Sequence, residues 1–260
     1  MSRVAPKKSL GQHFLVDRNV LGVIGRLAAL DADDVVLEVG PGLGILTAYL
    51  SDRVRHVHAI ELDRGLQPSL REALGARANV ELVFGDALAF DVGGLDPPPS
   101  KLVANLPYNV ATPLVAETLT GVPALKAWCV MVQREVADRF FAEPGTKAYG
   151  AVSVLVRLHA RRTGFHPVSR TVFRPKPNVD SALVAFERIV APADADRVLR
   201  VVTGAFGHRR KTLANALALA GVVPRERSVA ALAAIGRDAD VRAEALAPEE
   251  FVRLAGALGV

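Results

Sequence analysis

Short apolar runs alternate with helix-periodic stretches over the first 190 residues, while from Pro192 onward only helical periodicity remains. One apolar run ends in a glycine-rich turn, Gly40-Pro41-Gly42-Leu43-Gly44, that opens a helix. These observations predict an α/β chain: a Rossmann-like parallel sheet over residues 1–190, with residues 1–16 as an N-terminal arm, and a small all-helical domain over residues 191–260.

The chain has 260 residues, half of them apolar, enough to bury a sizeable core. Its single cysteine, Cys129, lies inside the apolar run Trp128–Val132 and reads as a small buried hydrophobe. One cysteine makes neither an internal disulfide nor a cysteine metal cluster, which predicts a reducing, cytoplasmic setting and no metal. The basic N-terminus is not followed by an apolar segment of signal-peptide type, and no run is long enough to span a bilayer, so no membrane association is expected.

The arm mixes apolar and amide groups without a clean period. Asp17 then caps a helix whose apolar face is Val20, Leu21, Ile24, Leu27 and Ala28. Val35–Val39 reads as a buried parallel strand broken by one carboxylate, Glu38. The following glycines let the backbone approach a ligand closely, and their Gly-x-Gly-x-Gly spacing departs from the Gly-x-Gly-x-x-Gly of dinucleotide sites. The second strand, Val57–Ile60, ends in Glu61. A carboxylate at that position can accept both hydroxyls of a ribose, as found in S-adenosylmethionine or NAD. Asp63 caps the next helix, Arg64–Gly75. The third strand, Val80–Phe84, delivers Asp86, placed to accept from an adenine amino group. Residues 93–100 form a surface loop.

The fourth strand, Lys101–Ala104, delivers Asn105-Leu106-Pro107-Tyr108, and Thr112 with Pro113 reads as the N-cap and first position of the next helix. The tetrapeptide thus sits on a strand-to-helix turn, where open α/β sheets keep their sites. An Asn amide oxygen, a carbonyl ahead of a proline and a flat tyrosine ring suit an exocyclic amine on an aromatic base. Four strand tips, carrying Gly40, Glu61, Asp86 and Asn105, converge on one rim. Ala127–Val132 is a fifth strand, Gln133 to Phe141 a helix, Val152–Leu158 strand-like, and Ser181–Phe186 a further strand.

Positive charge is concentrated rather than spread. Leu155 to Lys176 holds Arg157, Arg161, Arg162, Arg170, Arg174 and Lys176 with no acid, and His208-Arg209-Arg210-Lys211 forms a second knot. Such clustering is the footprint of a nucleic-acid surface. Within the first cluster, Phe173 lies in a proline-stiffened stretch where it can stack a splayed base while Arg174 and Lys176 hold phosphates. Beyond Pro192 the helical segments are Val198–Phe206, Lys211–Ala220, Val229–Ile235 and Glu249–Leu258.

Gly11-Gln12-His13-Phe14-Leu15, Glu38-Val39-Gly40-Pro41-Gly42-Leu43-Gly44, Asn105-Leu106-Pro107-Tyr108, the Phe173 to Ser181 stretch and the Phe206 to Asn215 stretch together resemble the small-subunit (16S) rRNA adenine N6,N6-dimethyltransferases, the KsgA or RsmA family, in order over essentially the whole chain. The resemblance implies a methyltransferase sheet with S-adenosylmethionine as methyl donor. By motif matching, Gln12, His13, Leu15, Gly40, Gly42, Glu61, Leu62, Asp86, Ala87 and Asn105 are expected to line its site. His13 stands where many relatives have Asn, and both can hydrogen-bond the cofactor.

It further implies a monomer that dimethylates two adjacent adenosines near the rRNA 3′ end within an assembling small subunit. Asn105, Leu106, Pro107 and Tyr108 are then expected to be catalytic, with the Asn105 oxygen and the Pro107 carbonyl accepting from N6. Tyr108, Phe173, Arg174, Lys176, Arg209, Arg210 and Lys211 are expected to contact RNA. Three alternatives share these features: a large-subunit rRNA adenine methyltransferase, an RNA-binding assembly factor whose catalysis is incidental, and a nicotinamide-dependent dehydrogenase.

Overall fold

The computed structural model describes residues 6–7 and 12–259; Gly11 of the arm motif lies outside them. The elements in chain order are β1 (Phe14–Leu15), α1 (Asn19–Leu27), β2 (Val35–Val39), α2 (Ile45–Ser51), β3 (His56–Glu61), α3 (Gln67–Leu74), β4 (Val80–Phe84), β5 (Lys101–Asn105), α4 (Ala111–Gly121), β6 (Ala127–Gln133), α5 (Arg134–Phe140), α6 (Ala151–His159), β7 (Ala160–Val168), β8 (Phe173–Arg174), β9 (Ser181–Arg188), α7 (Ala195–Gly207), α8 (Leu213–Leu219), α9 (Arg225–Ala234) and α10 (Pro248–Leu258). Short 3₁₀ turns lie between some of them.

Seven strands form one sheet in the order β4-β3-β2-β5-β6-β9-β7. The pairs β2–β3, β3–β4, β2–β5 and β5–β6 are parallel, and β9 pairs antiparallel with β6. The chain runs outward from β2 through β3 to β4, then returns to β5 on the other side of β2. That reversal opens a crevice at the carboxyl ends of β2 and β5, the position where open α/β sheets hold ligands. Every residue of β2 is buried, including Glu38, as a strand covered on both faces requires. β1 and β8 make a separate two-stranded ladder, with Phe14 opposite Arg174 and Leu15 opposite Phe173.

Two compact units emerge from the packing. Residues 1–137 with 161–188 form the sheet unit, and residues 138–160 with 189–260 form the helical unit. A single boundary at 190/191 therefore differs from this division, because 138–160 groups with the C-terminal helices. The helical unit has its own core, in which Tyr149, Val154, Leu158, Val201, Leu213, Leu217, Leu232, Phe251 and Leu254 are buried together. In the sheet unit α1 and α2 pack on Val36, Val57, Val103 and Leu183.

Several local expectations are corrected. Val152–Leu158 is not a strand: α6 spans it. Its apolar residues alternate, but Val154 and Leu158 also stand one helical turn apart and both enter the helical core. The backbone N–H of Gly150 donates to Ser153 Oγ at 3.1 Å, and that hydroxyl donates to the Arg139 carbonyl at 2.6 Å, which anchors the helix start. Burial in a helical core outweighs the weak strand preference of the valines. The strand in this region is β7, just beyond.

Helix α4 begins at Ala111, with Val110 as its N-cap residue, rather than at Pro113 behind a Thr112 cap, because the N–H groups of Val110 and Ala111 both reach back to the Pro107 carbonyl, at 3.1 and 3.2 Å. Helix α8 begins at Leu213, with Thr212 as its extended N-cap residue, so Arg209-Arg210-Lys211 lie in the preceding turn and not in the helix. Asp63 accepts from the Gly65 N–H at 2.9 Å as a capping residue does, whereas Asp17 lies one residue ahead of Arg18, the N-cap of α1, and accepts from the Asn19 N–H at 2.8 Å.

Candidate active site

The tips of β2, β3, β4 and β5, with the N-terminal arm, enclose a cleft of ≈ 1070 Å³ counted with its open mouth. Gln12, His13, Leu15, Gly40, Gly42, Glu61, Leu62, Asp86, Ala87, Asn105, Leu106, Pro107, Tyr108 and Phe173 all line it. Residues expected from four separate strand tips and from the arm are thus brought to one surface. Arg174 and Lys176 are exposed and do not line the cleft. Arg209, Arg210 and Lys211 belong to the helical unit, where Arg209 donates to the Tyr149 carbonyl at 3.0 Å while Arg210 and Lys211 are exposed.

The glycine turn is shaped for close approach. Gly40 has φ +73°, and a Cβ there would stand 3.2 Å from Cδ of Pro107. Gly42 has φ +61°, and a Cβ there would stand 3.1 Å from the Phe14 ring. Positive φ disfavours most side chains, and a methyl group at either position would press on the Pro107 or Phe14 ring. The backbone of the turn is therefore bare toward the cleft.

Glu61 is buried and tied at both oxygens. Oε2 accepts from the Gly42 N–H at 3.1 Å and Oε1 from the Asp63 N–H at 2.8 Å. Burial raises its pKa, while those N–H groups counter part of the rise. Each carboxylate oxygen keeps a further acceptor site.

Asn105 donates from Nδ2 to the His13 carbonyl at 3.4 Å. That contact orients the amide so that Oδ1 is the end left to accept. His13 itself contacts the Pro175 carbonyl through Nδ1 at 2.7 Å. A carbonyl only accepts, so Nδ1 carries the proton in this bond. The His13 and Tyr108 rings lie 5.6 Å apart, and the Tyr108 hydroxyl meets Ser181 Oγ at 3.2 Å. Burial raises the Tyr108 pKa, so the phenol stays neutral.

Three expected roles change in detail. The Pro107 carbonyl is not a free acceptor: Val110 and Ala111 occupy it. Among the described residues no donor reaches the Leu106 carbonyl, whose following residue, Pro107, has no N–H. Phe173 is 2% exposed and packs in the core with Leu15, Val20 and Leu183, so it forms a wall of the cleft rather than an exposed stacking platform. Gln12 uses both ends of its amide on the arm: Nε2 donates to Asp63 Oδ2 at 3.0 Å, and Oε1 accepts from the Lys7 N–H at 2.8 Å.

The basic run is also partly tied up by partners within the fold. Arg157 bonds Glu143 at 2.7 Å, Arg161 pairs with Glu187, and Arg170 donates to the Asn178 carbonyl at 3.2 Å.

Sequence reasoning missed three contributors. Lys7 donates to Asp63 at 2.6 Å, so Asp63 fastens the arm as well as starting a helix. Burial pushes the Asp63 pKa up, but the Lys7, Gln12 and Gly65 bonds outweigh it and the net shift is downward. Ser181 positions Tyr108. Glu38 lines the cleft from inside the sheet, 1% exposed, with its carboxyl pushed up to about 8 by burial. The Thr47 hydroxyl beside it pulls the other way and the charge of Glu61 adds to the rise, yet neither Glu38 Oε2 nor Thr47 Oγ1 has a partner at hydrogen-bond geometry. The carboxylate in an otherwise apolar strand was the visible signal for it.

Known proteins share both the sequence and the architecture. The family model described as ribosomal RNA adenine dimethylase matches residues 4–258. The chain is 51% identical over 250 residues to ribosomal RNA small subunit methyltransferase A of Rubrobacter xylanophilus, covering 96% of this chain and 94% of that protein. It is 43% identical to the protein of the same name from Lactiplantibacillus plantarum, over 97% of this chain and 90% of that one. Among solved structures, the 23S rRNA methyltransferase ErmE superposes with TM-score 0.68 at 31% identity, covering 95% of this chain and 100% of that chain. A dimethyladenosine transferase from Plasmodium falciparum superposes with TM-score 0.76 at 24% identity, over 93% and 96%, and shows the shared fold. A match that runs through both units, from the arm to the last helix, together with a cleft assembled from the arm and four strand tips, makes this chain a member of the ribosomal RNA adenine dimethylase family.

Proposed function

We propose that this protein dimethylates N6 of two adjacent adenosines in the 3′-terminal hairpin of small-subunit (16S) rRNA, using S-adenosylmethionine, as a cytoplasmic monomer acting on an assembling small subunit. The observation that carries this reading is Asn105: its Nδ2 is committed to the His13 carbonyl, leaving its oxygen as the acceptor in a cleft that also holds Glu61 and Asp86. The similarity to small subunit methyltransferases A over nearly the whole chain supports the choice of rRNA.

The cleft suits the methyl donor. The bare glycine turn admits its amino-acid end without side-chain obstruction. Glu61 keeps acceptor sites for ribose hydroxyls, Asp86 an acceptor for the adenine amino group, and Leu62, a half-exposed apolar side chain, a face for the purine. Bound there, S-adenosylmethionine supplies a methyl group made electrophilic by its sulfonium.

The protein's own contribution is to hold the target amine. Base-modifying enzymes take the base out of its stack. The Tyr108 ring, fixed through its hydroxyl by Ser181, offers the flat face on which the adenine lies. Asn105 Oδ1 and the Leu106 carbonyl accept the two N6 hydrogens. Accepting both draws the nitrogen toward a pyramidal shape and frees its lone pair from the ring. No general base is required, because the proton leaves after the cationic product forms. After the first methylation one N–H remains, and either acceptor suffices to hold it. Rate enhancement then comes from positioning.

Arg174 and Lys176 in the sheet unit, and Arg210 and Lys211 in the helical unit, supply exposed positive charge for phosphates. The test is transfer of labelled methyl from S-adenosylmethionine to small subunits and to large-subunit rRNA, side by side. Label in dimethyladenosine of 16S rRNA is expected. Label in large-subunit rRNA alone would replace this reading with the large-subunit activity that the name of ErmE describes.

A further inference from the structure

We propose that His56 Nε2, His58 Nδ1 and a Glu81 carboxylate oxygen form a three-ligand site for a zinc-class divalent cation, at the opposite end of β3 from Glu61. His56 and His58 are two residues apart on β3 and project from the same face, and Glu81 on β4 is the register partner of His58. The candidate ligand atoms all lie within 4.8 Å of one another.

Three features separate this cluster from a chance meeting of polar side chains. The first is His56: its Nε2 is buried with no hydrogen-bond partner, an uncommon state for a polar atom in a folded chain. The second is the surroundings of His58, whose ring is fully buried. Its Nε2 lies 2.8 Å from the Pro97 carbonyl, which can only accept. A backbone carbonyl on one ring nitrogen is the usual outer partner of a metal-bound imidazole. The other nitrogen, Nδ1, is hydrogen-bonded to Glu81 Oε2 at 2.7 Å, and a cation bound there would take the place of the proton in that contact.

The third is spacing. Ligand atoms around four-coordinate zinc stand about 3.3 Å apart, given metal–ligand bonds of about 2.0–2.2 Å. Glu81 Oε2 now lies 2.7 Å from His58 Nδ1 and 3.9 Å from His56 Nε2. A carboxylate shift of about 0.8 Å or more toward His56 evens these two distances, and the His56 and His58 nitrogens, which lie within 4.8 Å of each other, close to the same value by rotation of the less buried His56 ring. Glu81 is half exposed, so it is free to make that shift and leaves a side open for water as fourth ligand. Two imidazoles and one carboxylate match zinc rather than magnesium or calcium, which take all-oxygen sets. A cation bound there would cross-link β3 to β4, the edge strand of the sheet, independently of the methyl-donor cleft.

The test uses the untagged full-length protein, stripped with a chelator, dialysed, and titrated with zinc chloride by calorimetry and with cobalt(II) chloride by visible absorption. The wild type is expected to bind one equivalent of zinc, to gain melting temperature on doing so, and to give the intense visible bands of four-coordinate cobalt. His56→Gln and Glu81→Gln are each expected to weaken zinc binding by at least about tenfold, the loss that follows removal of even an outer partner. Both variants should lose the cobalt bands and keep wild-type binding of S-adenosylmethionine, which shows that they are folded. His58 is left intact because its ring is core. Absence of zinc binding by the wild type, or equal zinc affinity in wild type and His56→Gln, overturns the site.

Discussion

Glu38→Gln should flatten the pH dependence of folding stability. Burial on β2 raises the Glu38 carboxyl from 4.5 to about 8 in the folded protein, and the unfolded chain returns it to its ordinary value. The folded state therefore holds this proton more tightly than the unfolded state. Its stabilising effect is complete below about pH 4.5 and declines by about 1.4 kcal/mol per pH unit until the folded value is passed. Between pH 5.5 and 9 the decline integrates to about 3 kcal/mol. Glutamine has nearly the shape of the protonated acid and does not titrate, so the variant lacks this decline, while every other titrating group cancels in the comparison.

Urea unfolding at pH 5.5, 7 and 9 measures the difference, followed by fluorescence of Trp128, the chain's single tryptophan, buried in β6. The advantage of Glu38→Gln over wild type should grow by about 3 kcal/mol from the lowest pH to the highest. A difference that stays constant with pH would mean that Glu38 is already ionised at neutrality and that the burial argument is wrong.

Other consequences are as direct. Asn105→Ala should lose most methyl transfer, a drop of about 10²-fold or more in kcat, with a smaller change in cofactor Kd; near-normal turnover in a labelled-methyl assay would reject the role given to its amide. Gly40→Ala places a Cβ 3.2 Å from the Pro107 ring at φ +73°, and should cost about 1–3 kcal/mol of stability by thermal unfolding and weaken cofactor binding. Gln12→Ala removes the bond to Asp63 and should raise the cofactor Kd in calorimetry, with stability of the sheet unit changed by less than about 1.5 kcal/mol. Arg188→Met removes a guanidinium that donates to the carbonyls of Leu119, Val122 and Leu125 around the end of α4, at 2.7, 2.9 and 2.7 Å. It should lower stability by about 3 kcal/mol in urea unfolding.

The parallel part of the sheet was legible because each strand carries its own local signal. Val35–Val39, His56–Glu61 and Lys101–Asn105 are apolar runs closed by a turn residue with chemical meaning, so both the strand and its functional tip could be read together. Elements decided by distant partners were not. The valines of α6 look like a strand until the helical core that buries Val154 and Leu158 is known. β8 is two residues long and exists because the arm pairs with it. The occupied Pro107 carbonyl depends on where α4 starts, and helix starts are set by one or two backbone bonds that composition does not reveal. Phe173 beside two cations read as an exposed stacking ring, yet its partners in the core come from α1 and β9, far away in sequence.

The arm explains why the cleft cannot be derived from the sheet alone. The strand tips supply Gly40, Glu61, Asp86 and Asn105, but two of the residues proposed to act are set from outside the sheet. Asn105 is oriented by the His13 carbonyl, and His13 is held by Pro175 just past β8. His13 in turn is placed by the β1–β8 ladder on one side and by the Lys7–Gln12–Asp63 bonds on the other. Asp63 stands two residues after Glu61 and gives it a backbone N–H. The carboxylate proposed for the ribose and the amide proposed for the target amine are therefore joined through one connected set of arm contacts. Loosening the arm should degrade cofactor affinity and turnover together, whereas damage to Tyr108 or its Ser181 contact should fall on turnover and leave cofactor affinity intact. Measuring both quantities on Gln12→Ala and Ser181→Ala separates the two, and equal effects of Ser181→Ala on both would refute the division.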